Sequence, residues 1–290
     1  MGHHMPRLHT SPHDHRAYRY LTLANQLRVL LIEDHKTEKS AAALAVNAGH
    51  FDDPRSRQGM AHFLEHMLFL GTETFPRPGE YQEFINRHGG SNNAWTGTEF
   101  TNYYFDLHHE FFADGLHRFA QFFCCPTFDA ELVDKERNAI DSEYRLKLQD
   151  DVRRSYQVHK ETVNPDHPFA KFSVGNWETL GDRPGSQIRD ELITFYQTHY
   201  SAERMSLVLQ SNAPLDQQAA WAETFFSAIP NHGTAHPRIQ IPLYRPEDLG
   251  IRIEIKPIKE NRKLVVCFAL PSIEPLYATK PMTFLSHLLG

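Results

Sequence analysis

The segment Gly59-Met60-Ala61-His62-Phe63-Leu64-Glu65-His66-Met67-Leu68-Phe69-Leu70-Gly71-Thr72 joins a nearly continuous apolar stretch to two histidines and a glutamate. So few polar positions predict a helix over residues 58–70 that is buried on most sides. His62 and His66 are four residues apart, so they lie one turn apart on the same helical face, with Glu65 beside them. Burying these three polar side chains is unfavourable unless each finds a partner.

A pair of histidines with this spacing can be interpreted in two ways. The pair can belong to the surface or to a hydrogen-bonded core, or it can hold a metal ion that offsets the burial of both imidazoles. A glutamate between them on an apolar helix favours the metal. Zinc fits best, because imidazole nitrogen and carboxylate oxygen are among its usual ligands. The order His-x-x-Glu-His is also that of the inverted zincin motif.

A third ligand is expected from another helix, which Asp129 can cap and which is predicted to run to about residue 149 or beyond. Steps of three and four residues along its apolar face reach Glu136 and Glu143. The apolar positions that define this face are Leu132, Val133, Ala139, Ile140 and Leu146. The two acids are either solvated surface residues or members of the metal site, one as a ligand and one as a hydrogen-bond partner beside it.

Such a site has a direct chemical use. Three protein ligands leave a fourth zinc position open for water, as in catalytic zinc sites. Zinc lowers the pKa of bound water from about 15.7 to near 7. Glu65 is then in position to accept the water proton and pass it to a leaving amine.

Elsewhere the chain alternates strand-like and helix-like segments without a regular repeat. Strands are predicted at 27–32, 41–48, 101–107 and 205–209, from runs rich in branched and aromatic residues. Helices are predicted at 79–87, 110–123, 190–200 and 215–229. This irregular order indicates an α+β fold built of packed layers.

The chain divides by composition into four parts. Residues 1–16 resemble a tag remnant and tail, and 17–229 form the domain that carries the metal motif. Residues 230–246 contain four prolines and are predicted to be a linker. Residues 247–290 are expected to begin a second domain that is cut short, because so few residues would be marginal alone. Strands are predicted there at 251–255 and 264–270, with a helix at 282–289.

Composition excludes several classes of protein. The 290 residues carry a formal net charge of -6 with acids and bases mixed along the chain, so we expect no nucleic-acid partner. The longest apolar stretch, 67–70, is far below the roughly 20 residues of a membrane span, so no membrane association is expected. Three cysteines do not form a disulfide framework. The sequence indicates a soluble protein, cytoplasmic or periplasmic, without deciding between these compartments.

Several further segments match the pattern of a known family. The chain resembles the insulin-degrading enzyme and pitrilysin group of inverzincin peptidases from about Ala17 onward. The strongest likeness is in 59–72. It continues in Gly90-Ser91-Asn92-Asn93-Ala94-Trp95-Thr96, Thr101-Asn102-Tyr103-Tyr104-Phe105, Arg118-Phe119-Ala120-Gln121-Phe122-Phe123 and Glu136-Arg137-Asn138-Ala139-Ile140-Asp141-Ser142-Glu143.

The resemblance implies a role for each candidate residue. The fold would be a mostly antiparallel sheet with helices on one side. Zinc would be bound by His62, His66 and Glu143, with Glu65 as the general base and Glu136 as a supporting acid. Asn93 and Ala94 would lie on an edge strand that pairs with peptide substrates, a mode that tolerates many sequences because main-chain hydrogen bonds supply the affinity.

The family also differs from this chain in length. Its enzymes are several times longer, with four similar domains that enclose peptides between two halves, and the second half supplies an arginine and a tyrosine to the site. The resemblance therefore implies an N-terminal fragment, with the C-terminal half as its partner and weak activity alone. The alternative is a non-catalytic partner or scaffold subunit of a two-part peptidase. Such relatives usually lack the intact motif, which is present here, so the enzyme is favoured.

Overall fold

The computed structural model describes residues 10–234, 239–259 and 262–289. The predicted tag remnant therefore lies largely outside the described residues, and its remaining part, 10–16, contains neither helix nor strand. Part of the predicted linker, 235–238, also lies outside them.

Within the described residues, a six-stranded sheet forms the framework of the domain. Its strands are β1 (Ala17–Thr22), β2 (Arg28–Glu33), β3 (Lys39–Val46), β4 (Ser91–Thr96), β5 (Thr101–His108) and β6 (Met205–Ser211). They are arranged in the order β1-β2-β6-β3-β5-β4. Among the strand pairs of the described residues only β2–β6 is parallel, so the prediction of a mostly antiparallel sheet is confirmed.

Alternation of side chains gives this sheet one buried face. Along β3, every second residue is buried, as expected for a strand with one face towards the core. Leu44 of β3 lies opposite Tyr103 of β5 and Leu207 of β6, and all three side chains are almost fully buried. On the opposite face Tyr104 is exposed. The register thus directs one row of apolar side chains from each central strand into a common core.

Nine α-helices are present in the described residues. They are α1 (Met60–Leu68), α2 (Glu80–Arg87), α3 (Phe112–Cys124), α4 (Ala130–Lys147), α5 (Asp151–Glu161), α6 (Trp177–Leu180), α7 (Ile188–His199), α8 (Leu215–Phe226) and α9 (Pro281–Leu289). Apolar residues of α1, α3 and α8 join the core beneath the sheet, among them Phe63, Phe119 and Phe226. The predicted α+β architecture with helices packed on one side is confirmed.

Most predicted elements are present, with ends shifted by a few residues. The strands β1 and β4 and the helices α5 and α6 were not predicted from periodicity. Asp129 caps α4 as expected, since its carboxylate accepts hydrogen bonds from the amides of Glu131 and Leu132. The helix stops at Lys147, and Asp150 caps α5 in the same way.

The prediction of strands at 251–255 and 264–270 is wrong. Neither segment pairs with another strand among the described residues, and isolated extended segments are not stable strands. Their apolar side chains are exposed, as shown by Leu264 at 88% and Phe268 at 80%. The predicted helix at 282–289 is present as α9. No helix in the described ranges is long and apolar enough to cross a membrane.

Candidate metal centre

The helix α1 begins at a tightly fixed loop. Asp53 is buried, and its carboxylate accepts hydrogen bonds from the amides of Gly59 (2.8 Å) and Ala61 (2.7 Å). These bonds satisfy amide groups that have no partner within the first turn of a helix. The acid also lies at the positive end of the helix dipole. The loop therefore fixes where α1 begins and, with it, the positions of His62 and His66 along the helix.

A close approach of two glycines fixes the next part of the site. Gly59 has φ of +92° and Gly175 has φ of +85°, a region that favours glycine. A Cβ atom at Gly59 would lie only 2.4 Å from the Cα of Gly175. The contact brings the neighbouring Val174 carbonyl to 2.7 Å from Nδ1 of His62. That nitrogen is held by the carbonyl, which leaves Nε2 of His62 available to bind a metal ion.

The second histidine is oriented by an acid from α4. Nδ1 of His66 lies 2.6 Å from Oε1 of Glu136. Hydrogen bonding through Nδ1 again leaves Nε2 available, and the two rings are 4.7 Å apart, nearly perpendicular. Oriented imidazoles of this kind are typical of metal-binding histidines.

Glu143 completes the cluster from one side of α4. Its Oε2 lies 3.7 Å from Nε2 of His62 and 3.8 Å from Nε2 of His66. Potential ligand atoms of the three residues all lie within 4.8 Å of one another. Zinc–ligand bonds of 2.0–2.1 Å in a tetrahedron require ligand atoms about 3.3 Å apart. A small inward movement of these side chains would meet that geometry, so the residues fit the ion.

The protonation states of the three clustered residues also suit the binding of a cation. Burial and the neighbouring His66 lower the pKa of His62 to about 4, so its ring is neutral near pH 7. Burial would lower the pKa of His66, but the hydrogen bond and charge of Glu136 raise it, so a metal would have to displace a proton there. Burial opposes ionisation of Glu143, yet hydrogen bonding by Lys147 and the charge of His62 lower its pKa. Lys147 contacts Oε1, the other carboxylate oxygen.

Glu65 is placed beside this cluster and is not part of it. It is 9% exposed, and its Oε2 accepts a hydrogen bond from the hydroxyl of Thr96 on β4. Burial raises the pKa of Glu65, and the Thr96 bond opposes that rise. A carboxylate with a raised pKa next to a cluster that could hold a metal ion is suited to exchanging protons.

Asn93 and Ala94 lie on β4, at one edge of the sheet. They face Tyr104 and Tyr103 of β5, and the other edge of β4 pairs with no strand in the described part of the chain. Asn93 is exposed, whereas Ala94 is buried. The structure thus brings together the five residues expected at the metal site and puts the two expected substrate residues on the adjacent strand.

Three supporting groups were missed by sequence reasoning. The Val174 carbonyl has no signal in the sequence, because any residue carries one. Lys147 lies one turn beyond Glu143, and that spacing could have indicated the ion pair. Thr96 belongs to the segment 90–96, which resembles the family. Its hydrogen bond to Glu65 depends on how β4 packs beside α1 and is visible only in the folded structure.

An inverted histidine motif, a distant glutamate and an exposed sheet edge on an α+β scaffold are the features of a metallopeptidase domain. The chain belongs to peptidase family M16. The family profile described as Insulinase (Peptidase family M16) matches residues 28–166. The profile described as Peptidase M16 inactive domain matches residues 187–290.

Individual relatives agree with this assignment. The chain is 43% identical over 280 residues to the A-factor-processing enzyme of Saccharomyces cerevisiae, covering 96% of this chain and 27% of that protein. It is 42% identical over 293 residues to the insulin-degrading enzyme of Homo sapiens, covering 100% of this chain and 28% of that protein. The crystal structure of pitrilysin matches with a TM-score of 0.80 and 36% identity, over 83% of this chain and 26% of that one. The chain thus spans little more than a quarter of these relatives.

Proposed function

We propose that this chain supplies the zinc centre and the general base of an endopeptidase. The observation that carries the proposal is the convergence of two imidazole Nε2 atoms and one carboxylate oxygen, each on a side chain whose other polar atom is already hydrogen-bonded. Membership of a peptidase family supports hydrolysis of peptide bonds as the reaction.

The proposed roles follow from the contacts of each residue. His62, His66 and Glu143 would hold zinc, which when bound lowers the pKa of a coordinated water and polarises a peptide carbonyl. Glu65 would accept a proton from the attacking water and deliver it to the leaving amine. The short bond from Thr96 holds one carboxylate oxygen of Glu65, so the other is free for this transfer.

Glu136 would act through His66 without touching substrate. Its carboxylate holds the imidazole in the orientation that presents Nε2, and its charge makes that nitrogen a better ligand. Glu136 is thus proposed as a positioning residue, because its Oε1 lies 2.6 Å from Nδ1 of His66.

Substrate binding is proposed at the open edge of β4. A peptide added there would continue the sheet by main-chain hydrogen bonds, with Asn93 and Ala94 as the pairing residues. Peptides would then be bound in an extended form, and affinity would depend weakly on their sequence. Unfolded peptides are therefore the expected substrate class.

Full activity is proposed to need a second half of the enzyme. The resemblance implies that an arginine and a tyrosine from that half stabilise the transition state, and loss of one such donor typically lowers the rate about 10²–10³-fold.

The division into a zinc domain at 17–229, a linker at 230–246 and the start of a second domain at 247–290 remains part of this proposal. The scaffold alternative is not favoured, because the motif and Glu143 are intact.

The test is an assay with an internally quenched peptide. The chain alone is expected to cleave it slowly, and a longer form that includes the proposed second half should cleave it about 10²-fold faster or more. Glu65→Gln in the longer form should lower the rate about 10²–10⁴-fold. Equal rates for the chain and the longer form would contradict the need for a second half. No cleavage by either, with zinc present, would contradict the proposed function.

A further inference from the structure

The two carboxylate oxygens of Glu143 have different surroundings. Oε2 faces the cluster, 3.7 Å from Nε2 of His62 and 3.8 Å from Nε2 of His66. Oε1 accepts a hydrogen bond from the ammonium of Lys147 on the same helix. One oxygen is therefore directed at the proposed metal position, whereas the other is already bound by a cation.

The helix α4 places Lys147 beside this carboxylate. Lys147 lies four residues after Glu143, so the two side chains project from the same side of α4. It is also the last residue of α4, where the negative end of the helix dipole favours a cation. The side chains of Lys147 and Glu143 are 32% and 28% exposed. Their contact therefore lies at an accessible edge of the cluster.

Lys147 acts differently from the groups beside the two histidines. The Val174 carbonyl and the Glu136 carboxylate lie against Nδ1 atoms, and acceptors in this position make the opposite ring nitrogen a better ligand. An ammonium donor instead withdraws charge from the carboxylate of Glu143, and it repels a metal ion. Stronger metal binding therefore does not explain a lysine at this place.

The lysine does restrict how the carboxylate can bind a metal. A carboxylate binds a cation through one oxygen or through both. While Lys147 holds Oε1 of Glu143, only Oε2 is available, and the cluster supplies three ligand atoms. With both oxygens bound, it would supply four. A catalytic zinc site has three protein ligands and keeps its fourth position for water, so the occupied oxygen keeps that position open.

A second pair of the same spacing on α4 serves as a comparison. Nε of Arg145 lies 2.5 Å from Oδ2 of Asp141, and Oδ1 of Asp141 accepts a hydrogen bond from the amide of Trp177. Protein groups thus hold both oxygens, and Asp141 is not part of the metal cluster. In the Glu143–Lys147 pair, by contrast, one oxygen remains directed at two imidazoles. Arg145 is therefore a matched control for Lys147.

We propose that Lys147 is a positioning residue that restricts Glu143 to one metal-binding oxygen and so keeps a coordination position open for water. The inference rests on the proposed zinc centre and adds to it a residue that touches neither the metal nor the substrate. Lys147 sets the coordination number of the ion and is not needed for its presence.

Cobalt(II) is the probe, because four-coordinate cobalt absorbs visible light several-fold more strongly than five-coordinate cobalt. Spectra and metal content are measured on the chain after removal of the N-terminal histidines. Wild type should bind about one cobalt with strong absorption. Lys147→Met should also bind about one, with absorption per ion several-fold lower because Oε1 of Glu143 is released. Lys147→Arg should restore the wild-type spectrum, since arginine also donates to carboxylates, and Arg145→Met should match wild type.

A crystal of Lys147→Met grown with zinc gives a second measurement. Both oxygens of Glu143 should contact zinc in this variant, whereas only Oε2 should do so in wild type. An unchanged cobalt spectrum in Lys147→Met, or contact through a single oxygen in its crystal, would overturn the inference. An equal loss of absorption in Arg145→Met would also overturn it, because removal of any cation from α4 would then have the same effect.

Metal content separates this inference from the function on which it rests. Loss of cobalt from Lys147→Met that Lys147→Arg restores would overturn the inference, because Lys147 would then be needed to hold the whole side chain of Glu143. A wild-type chain that binds no metal would contradict the zinc centre itself, and the inference with it. Strong absorption in both wild type and Lys147→Met would leave the zinc centre intact and contradict only the role of Lys147.

Discussion

Two polar clusters lie next to the loop that leads into α1, and they differ in which atoms are left without a partner. In the candidate metal centre, hydrogen bonds occupy one nitrogen of each histidine, so unshared electron pairs of His62, His66 and Glu143 converge. In the second cluster, formed by His50, Lys160 and Lys171, the ammonium of Lys160 has no hydrogen-bond partner among the described residues and lies beside the rings of Tyr156 and Phe169. The first arrangement suits a cation, whereas the second is a buried positive charge that no accessible group approaches. Only the first cluster, within the described residues, offers acceptor atoms that converge on one point, as a bound metal requires.

The largest expected effect is loss of zinc from the first cluster. In His62→Ala or Glu143→Ala, one of three ligands is removed, and zinc content should fall from about one per chain to a small fraction of that. Metal analysis after removal of the N-terminal histidines measures this. His35→Ala, at an exposed position, is the matched control and should keep its zinc. Stoichiometric zinc in both ligand variants would rule out the cluster as a metal site.

The second-largest expected effect distinguishes Glu65, the proposed general base, from the three proposed zinc ligands. Glu65→Gln should keep zinc, because Glu65 is not among the three convergent residues. Turnover of the longer form should fall about 10²–10⁴-fold, the usual range for loss of a general base. Cleavage of a quenched peptide and zinc content are measured on the same sample. A wild-type rate in this variant would exclude Glu65 as the base.

A smaller effect is expected for the residue behind His66. Glu136→Gln keeps a hydrogen-bond acceptor for the imidazole but removes the charge, so zinc affinity should weaken about 10–100-fold. Competition with a chelator gives the affinity directly. Glu131→Gln, an exposed acid on the same helix, should leave it unchanged. If both variants match wild type, Glu136 has no role at the site.

The smallest effect concerns His50 in the second cluster. Its pKa is lowered to about 3 by burial and the charges of Lys160 and Lys171, whereas an unfolded histidine has a pKa near 6.5. As the pH falls, His50 therefore binds a proton in the unfolded chain at a higher pH than in the folded chain. The stability linked to His50 is present above pH 6.5 and is lost as the pH falls towards 3.

Urea unfolding at several pH values checks this sign. Between pH 6.5 and 5 the free energy of unfolding of wild type should fall faster than that of His50→Phe, by at most about 1.4 kcal/mol per pH unit. His15→Gln should behave as wild type, because His15 is exposed. Identical slopes in wild type and His50→Phe would show that His50 titrates normally.

The parts of the site that follow a helical period were predictable from sequence. The spacing in α1 and the cap at Asp129 fixed which side chains share a face, and the structure brings His62, His66 and Glu143 together accordingly. The strand β4 was not recognised by its pattern, because asparagine, which occupies two of its six positions, is depleted in strands. Its position at the sheet edge was predicted only from the resemblance to the family.

Other features depend on contacts that no local pattern encodes. Lysine is rarely buried, so nothing in the sequence singles out Lys160. The close approach of Gly59 and Gly175 joins segments more than a hundred residues apart and cannot be read from either one. Strands at 251–255 and 264–270 were predicted from composition alone, but a strand also requires a partner.

The most direct test of the account is the position of zinc itself. A crystal of the chain without its N-terminal histidines, grown with zinc, is measured on both sides of the zinc absorption edge. We predict one anomalous peak about 2.0–2.2 Å from Nε2 of His62, Nε2 of His66 and a carboxylate oxygen of Glu143. A peak elsewhere, or none at these three residues in zinc-saturated crystals, would contradict the central claim.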